Sequence, residues 1–174
     1  AWLNTTRGSE KGFSLGWFDD DYVRACRVMA IHRPDNGITA FANIIPEYQV
    51  NEATIDMMRY HPSAINGTMD FLFVELFEWS KSAGYDTFNM GLSPLAGVGD
   101  KTGDAIIERA VHYIYEHMNR FYSFKGLHAF KAKFQPKWSP RYLLYPSPIN
   151  LFAIVLAVIR ANTGEDFPWS YIRR

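Results

Sequence analysis

The chain has 174 residues and a mass of 20.0 kDa, with 48% hydrophobic and 21% charged residues and 18 cations against 18 acids. Length and composition suggest one domain, or one large piece of a domain, and exclude a disordered chain, and zero net charge argues against general nucleic-acid binding through a basic excess. The single cysteine, Cys26, excludes an internal disulfide framework and a multi-cysteine zinc site.

A reducing compartment fits that cysteine count best. No run of about 18 apolar residues exists to span a bilayer. Residues Ala1 to Glu10 lack the apolar core of a signal peptide. The chain opens in mid-pattern, the expectation for a piece of a longer protein. Charge is uneven along it. From Phe121 onward the net charge is +6, and residues 1–120 carry −6. Such a division suits a site that handles an anion and a cation, although solvated charged faces give the same pattern.

In chain order, Phe13 to Phe18 is aromatic-rich and ends at an acidic turn, Asp19-Asp20-Asp21. Ala25 to His32 reads as a strand. Arg33-Pro34-Asp35-Asn36-Gly37 predicts a hairpin turn, and Ile38 to Ile45 the returning strand. Glu52 to Tyr60 is a third strand candidate, followed by a loop from His61 to Gly67. Thr68 to Ala83 reads as a helix stopped by Gly84. Its polar stripe is Glu75, Glu78 and Ser82, and Phe73, Leu76, Phe77 and Trp79 predict burial against a sheet. Asp86 to Leu92 is another strand candidate. A long helix is expected from Asp104 to about Phe121 and a second helical piece over Leu127 to Phe134. Arg141 to Tyr145 reads as a late strand and Asn150 to Ala161 as a very apolar late helix. This order gives an α/β or α+β fold, with a mostly antiparallel mixed sheet and helices on both faces. It is also the order at the core of GNAT-type acyl-transfer folds, a likeness of fold that says nothing about chemistry.

Several chemistries are absent. There is no G-x-S-x-G elbow, no G-x-x-x-x-G-K-[ST] phosphate loop and no Rossmann glycine fingerprint. The five histidines are scattered, and His112 and His117 do not stand at the i, i+4 spacing of a helical metal pair. No metal or other cofactor is expected. Cys26, among apolar strand residues, reads as an inert thiol.

Five segments together carry a resemblance: Glu10 to Gly16 (EKGFSLG), Met58 to Pro62 (MRYHP), Asn66 to Glu75 (NGTMDFLFVE), Phe88 to Val98 (FNMGLSPLAGV) and Phe130 to Tyr142 (FKAKFQPKWSPRY). In this order, across nearly the whole chain, they resemble the bacterial phosphatidylglycerol lysyltransferase family, also called lysylphosphatidylglycerol synthetases or multiple peptide resistance factors. The resemblance implies a membrane domain followed by a cytosolic catalytic region of two GNAT-like halves. Residues 1–174 would be the second half. It implies transfer of a lysyl or alanyl group from aminoacyl-tRNA to a glycerol hydroxyl of phosphatidylglycerol, which makes the membrane surface more positive and lessens its attraction for cationic antimicrobial peptides. The partners so implied are the acceptor end of aminoacyl-tRNA, phosphatidylglycerol, the membrane surface, and the protein's own first half and membrane domain. The chain would lie on the cytoplasmic side of the cell membrane. Ordinary GNAT enzymes hold a pyrophosphate with a [QR]-x-x-G-x-[GA] loop. Here Pro62 to Thr68 holds one glycine, which speaks against acetyl-CoA.

The chemistry asks for acids near the donor's ammonium and cations near phosphate. The carboxylate candidates are Asp56 and Asp70. Asp70 lies in the first turn of the central helix, where an acid also answers the macrodipole. Asp56 sits between Ile55 and Met57 in a strand, where an acid is out of place unless paired. Arg59 is three residues on, on the opposite face of a regular strand, so the two share a site only across a bulge or through the length of Arg59. Asn66, in the loop before the helix, joins the substrate-binding candidates. Asn89 and Ser93, at the end of the Asp86–Leu92 strand, are placed to hydrogen-bond the donor carbonyl or to build the turn before Pro94. Lys131, Lys133 and Arg141 are the anion-binding candidates. Lys131 and Lys133 are two apart, so only one points inward from a helix. The segment from Ile149 to Ile159 is too short to span a bilayer, and suits a membrane interface or a core helix. The competing readings are a GNAT-like transferase with another acceptor, peptidoglycan precursor or small molecule, and a lipid- or tRNA-binding half inactive alone.

Overall fold

The computed structural model describes residues 18–99 and 124–147, with 150, 153, 154 and 157. The expected helix at 104–121 lies outside the described residues, and so do residues 13–17 and most of the apolar segment at 149–161. The chain divides into two compact units, Ala1–Asn89 with Tyr142–Arg174, and Met90–Arg141.

The first unit begins with α1, Asp20–Ala25. The acidic run expected to form a turn is the start of this helix. Asp19 is its N-cap, accepting from the Tyr22 N–H at 2.8 Å. Asp20 and Asp21 stand in the first turn and Arg24 in the last, so the charges oppose the macrodipole at both ends.

Strands β1 (Arg27–His32), β2 (Ile38–Glu47), β3 (Glu52–Tyr60) and β4 (Thr87–Asn89) form one sheet in the order β1-β2-β3-β4. The first two pairings are antiparallel and β3–β4 is parallel, a mixed sheet as the element order predicted. The Pro–Asn–Gly cluster closes the β1–β2 hairpin. Arg33 N–H donates to the Gly37 carbonyl at 2.7 Å, and Asn36 adopts φ 63°. Strand β4 is shorter than the expected Asp86–Leu92. It pairs only at Thr87, Phe88 and Asn89, after which the chain enters the second unit.

Helix α2 (Thr68–Ser82) starts from Gly67 at φ 89°, a conformation only glycine takes cheaply. Its buried residues are Thr68, Leu72, Phe73, Leu76 and Ser80. Leu72 and Leu76 pack with Ala40, Ala42, Ile44 and Ala53 of the sheet, the small alanines letting helix and sheet approach. Glu75, Glu78 and Ser82 face outward as their stripe predicted. Phe71 and Val74 are exposed as well, so the apolar band is narrower than the composition suggested. Phe77 closes the far end, edge-on to Phe88 at 5.1 Å.

In the second unit, α3 (Phe124–Ala132) fulfils the expected helical piece, shifted toward the N-terminus. Arg141 to Tyr145 is not a strand. These residues take no regular structure and are exposed, and Leu144 is 91% accessible. Leucine and tyrosine suit a strand only where a neighbour supplies ladder hydrogen bonds, and none of the described strands pairs with this segment. Among the described residues no helix is long and apolar enough to cross a membrane.

Candidate functional site

The main feature of the first unit is an irregularity in β3. Ala42 pairs with Met58, but Ile44 pairs with Ile55. Asn43 therefore faces two residues, Asp56 and Met57. This is a β-bulge, and it shifts the alternation of side chains along the strand. Paired residues share a face. Ala40, Ala42 and Ile44, with their partners Tyr60, Met58 and Ile55, make the face toward α2. Phe41 and its partner Arg59 lie on the other face. The extra residue brings Asp56 to that second face too. Asp56 and Arg59 thus share a face, by the bulge that their three-residue spacing required.

Tyr22 of α1 reaches the same place. Its hydroxyl donates to Asp56 Oδ2 at 2.6 Å. Burial first, and the Asp56 hydrogen bond second, push the phenol up to about 12, so it remains a donor at neutral pH. Asn43 is fully buried. Its Oδ1 accepts the Met57 N–H at 2.6 Å, and its Nδ2 donates to Cys26 Sγ at 3.7 Å. The ladder is broken at this bulge, where a buried N–H left unpaired would cost about 1–3 kcal/mol. Asn43 supplies the missing acceptor. Arg59 donates to the Met58 carbonyl at 2.9 Å, which holds its guanidinium close to the strand. Tyr22 and Asn43 were not candidates from sequence. The available signals were an asparagine inside the apolar run ITAFANII and a tyrosine directly after three acids.

The other candidates in this unit lie elsewhere. Asp70 is half-buried in the first turn of α2, and α2 packs on the face opposite to that of Asp56. Asn66 is exposed in the loop before the helix. Asn89 is exposed at the end of β4, where its Nδ2 donates to Glu52 Oε1 at 2.9 Å and its carbonyl accepts from Thr54 Oγ1 at 2.8 Å. Thr87 Oγ1 also donates to Glu52, at 3.0 Å. These contacts tie β4 to the start of β3.

In the second unit Lys131 is 4% exposed. Its ammonium donates to the Leu92 carbonyl at 2.9 Å, beside Gly91 at φ 75°. A Cβ on Gly91 would stand 3.6 Å from Lys131 Nζ. Burial pushes the Lys131 ammonium down to about 8. The Ser93 hydroxyl, next to Leu92, and Nδ1 of His128 are buried with no hydrogen-bond partner among the described residues. His128 stacks on Trp138 at 4.5 Å. Lys133, two residues on, is exposed, with its ammonium 5.3 Å from the Phe130 ring centroid. Arg141 is exposed and donates to Ser139 Oγ and the Pro140 carbonyl, both at 3.4 Å. Lys131 is the inward member of the lysine pair. A buried cation beside an unsatisfied hydroxyl is suited to an anionic oxygen.

The fold is of the mixed α/β class, with an acid and an arginine on one face of a bulged strand and a buried lysine in the second unit. The sequence comparison narrows the class. Residues 1–145 match the family model described as phosphatidylglycerol lysyltransferase, C-terminal. The chain is 41% identical over 159 residues to a phosphatidylglycerol lysyltransferase of Bacillus subtilis strain 168, covering 91% of this chain and 18% of that protein. A phosphatidylglycerol lysyltransferase of Staphylococcus aureus strain MSSA476 is 32% identical, again over 91% of this chain and 19% of its own length. Among solved structures, L-PGS from Bacillus licheniformis superposes with a TM-score of 0.73 at 39% identity, covering 91% of this chain and 47% of that one. The C-terminal domain of a putative lysylphosphatidylglycerol synthetase from Agrobacterium fabrum gives a TM-score of 0.75 at 40% identity, covering 94% and 48%. The chain belongs to the phosphatidylglycerol lysyltransferase C-terminal family. It spans under a fifth of the length of these curated relatives and about half of the solved chains.

Proposed function

We propose that this chain is part of an enzyme that transfers a lysyl or alanyl group from aminoacyl-tRNA to phosphatidylglycerol. The glycerol hydroxyl oxygen attacks the ester carbonyl. The new carbon–oxygen bond forms, the bond to the ribose oxygen breaks, and the hydroxyl proton passes to that ribose oxygen. The donor is already an activated ester, so no covalent enzyme intermediate is needed. What the protein must supply is position and charge.

In this reading the Asp56 carboxylate, steadied by Tyr22, binds the ammonium of the aminoacyl group. Arg59, on the same face, takes an oxygen of the ester or of a phosphate. Lys131 holds a phosphate oxygen of the lipid or of the tRNA end, with Ser93 as a second donor. Asp70, Asn66, Lys133 and Arg141 are secondary candidates for contact with the tRNA end or the lipid head group. Asn89 is committed to Glu52 and holds the sheet together. The chain acts as the second GNAT-like half of a catalytic region, beside a first half and a membrane domain of the same protein, on the cytoplasmic side. The product carries a more positive head group, which weakens the attraction of cationic antimicrobial peptides.

The observation that carries this reading is family membership across residues 1–145, with the Asp56–Arg59 pair inside the matched region. The test is to incubate the complete protein with charged tRNA and phosphatidylglycerol vesicles. A new aminoacyl-lipid, labelled from the amino acid and sensitive to RNase, is the expected result. Absence of that lipid with both lysyl-tRNA and alanyl-tRNA rejects it. Product on another acceptor would favour the broader transferase reading.

A further inference from the structure

We infer that Asn43 is a positioning residue for Asp56: its side chain locks the bulge in β3 and so fixes which face of the sheet the carboxylate occupies. The inference rests on the reading that Asp56 binds the donor.

The sheet offers two registers in this region. In a regular ladder, Asp56 and Arg59 would project to opposite faces, because side chains alternate with period two. With the bulge they share a face. The choice between these arrangements is set where Asn43 stands opposite Asp56 and Met57. A bulge disrupts the ladder locally, and at this one a side chain bonds the Met57 N–H. Asn43 Oδ1 accepts it at 2.6 Å, and the asparagine itself is fully buried. An apolar side chain in that place would leave the N–H buried and unpaired, so the regular register would become the better alternative.

The other end of the side chain is also engaged. Asn43 Nδ2 donates to Cys26 Sγ, just after α1, and Tyr22 of α1 is the residue that holds Asp56. One buried amide thus ties together the strand that carries the acid and the helix that orients it. A buried asparagine is costly in an otherwise apolar strand. Here both ends of the amide are bonded, which offsets that cost, and valine or isoleucine would supply neither bond.

The experiment compares the intact wild-type protein with Asn43→Leu and Asn43→Asp. Leucine keeps the volume and removes the acceptor. Aspartate keeps an oxygen toward Met57 and removes the amide donor. Amide hydrogen exchange at Met57 reads the lock, and steady-state kinetics with lysyl-tRNA and phosphatidylglycerol read its consequence. Asn43→Leu should speed Met57 exchange and raise KM for lysyl-tRNA by about 10–100-fold, with KM for the lipid unchanged. Asn43→Asp should keep Met57 exchange slow, because an oxygen still faces that N–H. A purely structural role would lower thermal stability and leave the two KM values in their wild-type ratio, and that result overturns the inference. Unchanged exchange at Met57 in Asn43→Leu overturns it as well. If Asn43→Leu does not fold, Asn43→Ala, which offers the Met57 N–H no acceptor, is read in the same two ways. Failure of the wild-type protein to make any aminoacyl-lipid is a separate result. It removes the proposed reaction, and the Met57 exchange data then decide the role of Asn43 alone: faster exchange in the leucine variant upholds the lock, and unchanged exchange rejects it.

Discussion

Tyr22 and Asp56, 34 residues apart in sequence, meet in a 2.6 Å hydrogen bond from phenol to carboxylate. The bond joins a six-residue helix to the bulged strand, and it fixes one oxygen of the acid. Removing the hydroxyl in Tyr22→Phe should cost about 1–2 kcal/mol of stability, the range for a hydrogen bond to a charged group at a partly exposed site. It should also raise KM for the aminoacyl donor. Urea unfolding and donor titration check the two effects. The phenol also has a pH signature. Its folded value of about 12 lies above the ordinary 10, so the folded state keeps the proton longer. The associated stability is present below pH 10 and is lost as pH rises from about 10 to about 12. Tyr22→Phe should flatten that part of the stability–pH curve.

The Asp56 carboxylate is the group asked to meet an ammonium. Asp56→Asn keeps the size and the acceptor for Tyr22 but removes the charge. Transfer should fall by about 100-fold or more, while the circular dichroism spectrum and melting temperature stay near wild type. Activity within a few-fold of wild type would remove Asp56 from the donor site.

Lys131 predicts a descending limb in the pH profile. Burial places its ammonium at about 8, below the ordinary 10.5, so it carries its charge at pH 7 and loses it as pH rises through about 8. If the charge binds phosphate, kcat/KM should fall across that range. Lys131→Arg, which stays charged, should remove the limb even if the rate at pH 7 is lower. The linkage to stability has the opposite sign. Between about pH 8 and 10.5 the unfolded state holds more protons than the folded one, so stability gains as pH rises there, and the variant should lack that gain. Rate against pH, and denaturant midpoint against pH, measure both.

Leu76 tests the packing beneath the sheet. It is fully buried among Ala40, Ala42, Ile44 and Ala53. Leu76→Ala should destabilise the first unit by about 2–5 kcal/mol, since the helix and the small alanines opposite cannot collapse to fill the gap. The expected readout is a lower denaturant midpoint with an unchanged slope.

Much of the local structure is dictated by sequence alone. The turn Arg33–Gly37 needs its proline, asparagine and glycine in one place, and nothing distant is required to close it. The α2 helix follows from its periodic apolar residues, its outward polar stripe and the terminating Gly84. Glu52 to Tyr60 is readable as a strand from its pattern, and the five family segments carried the assignment of ancestry. Helical spacing predicts that one lysine of the pair faces out, but which one is decided by the bond of Lys131 to the Leu92 carbonyl, with Lys133 just past the helix end. The acidic run before Val23 was legible as charge but not as a helix start, because a cap and a turn use the same residues. The strand expected at 141–145 shows the converse. Its composition suits a strand, but strand formation depends on a partner that composition does not name.

The family, the mixed α/β elements and the residue types available for charge recognition are therefore legible along the chain, because they rest on motifs and local patterns. That Asp56 and Arg59 face the same way, and that Tyr22 and Asn43 belong with them, emerges only when the strands pair. The reason is that a bulge is a property of two strands together: the extra residue exists only relative to the partner ladder, and one residue of register moves a side chain from one face of a sheet to the other.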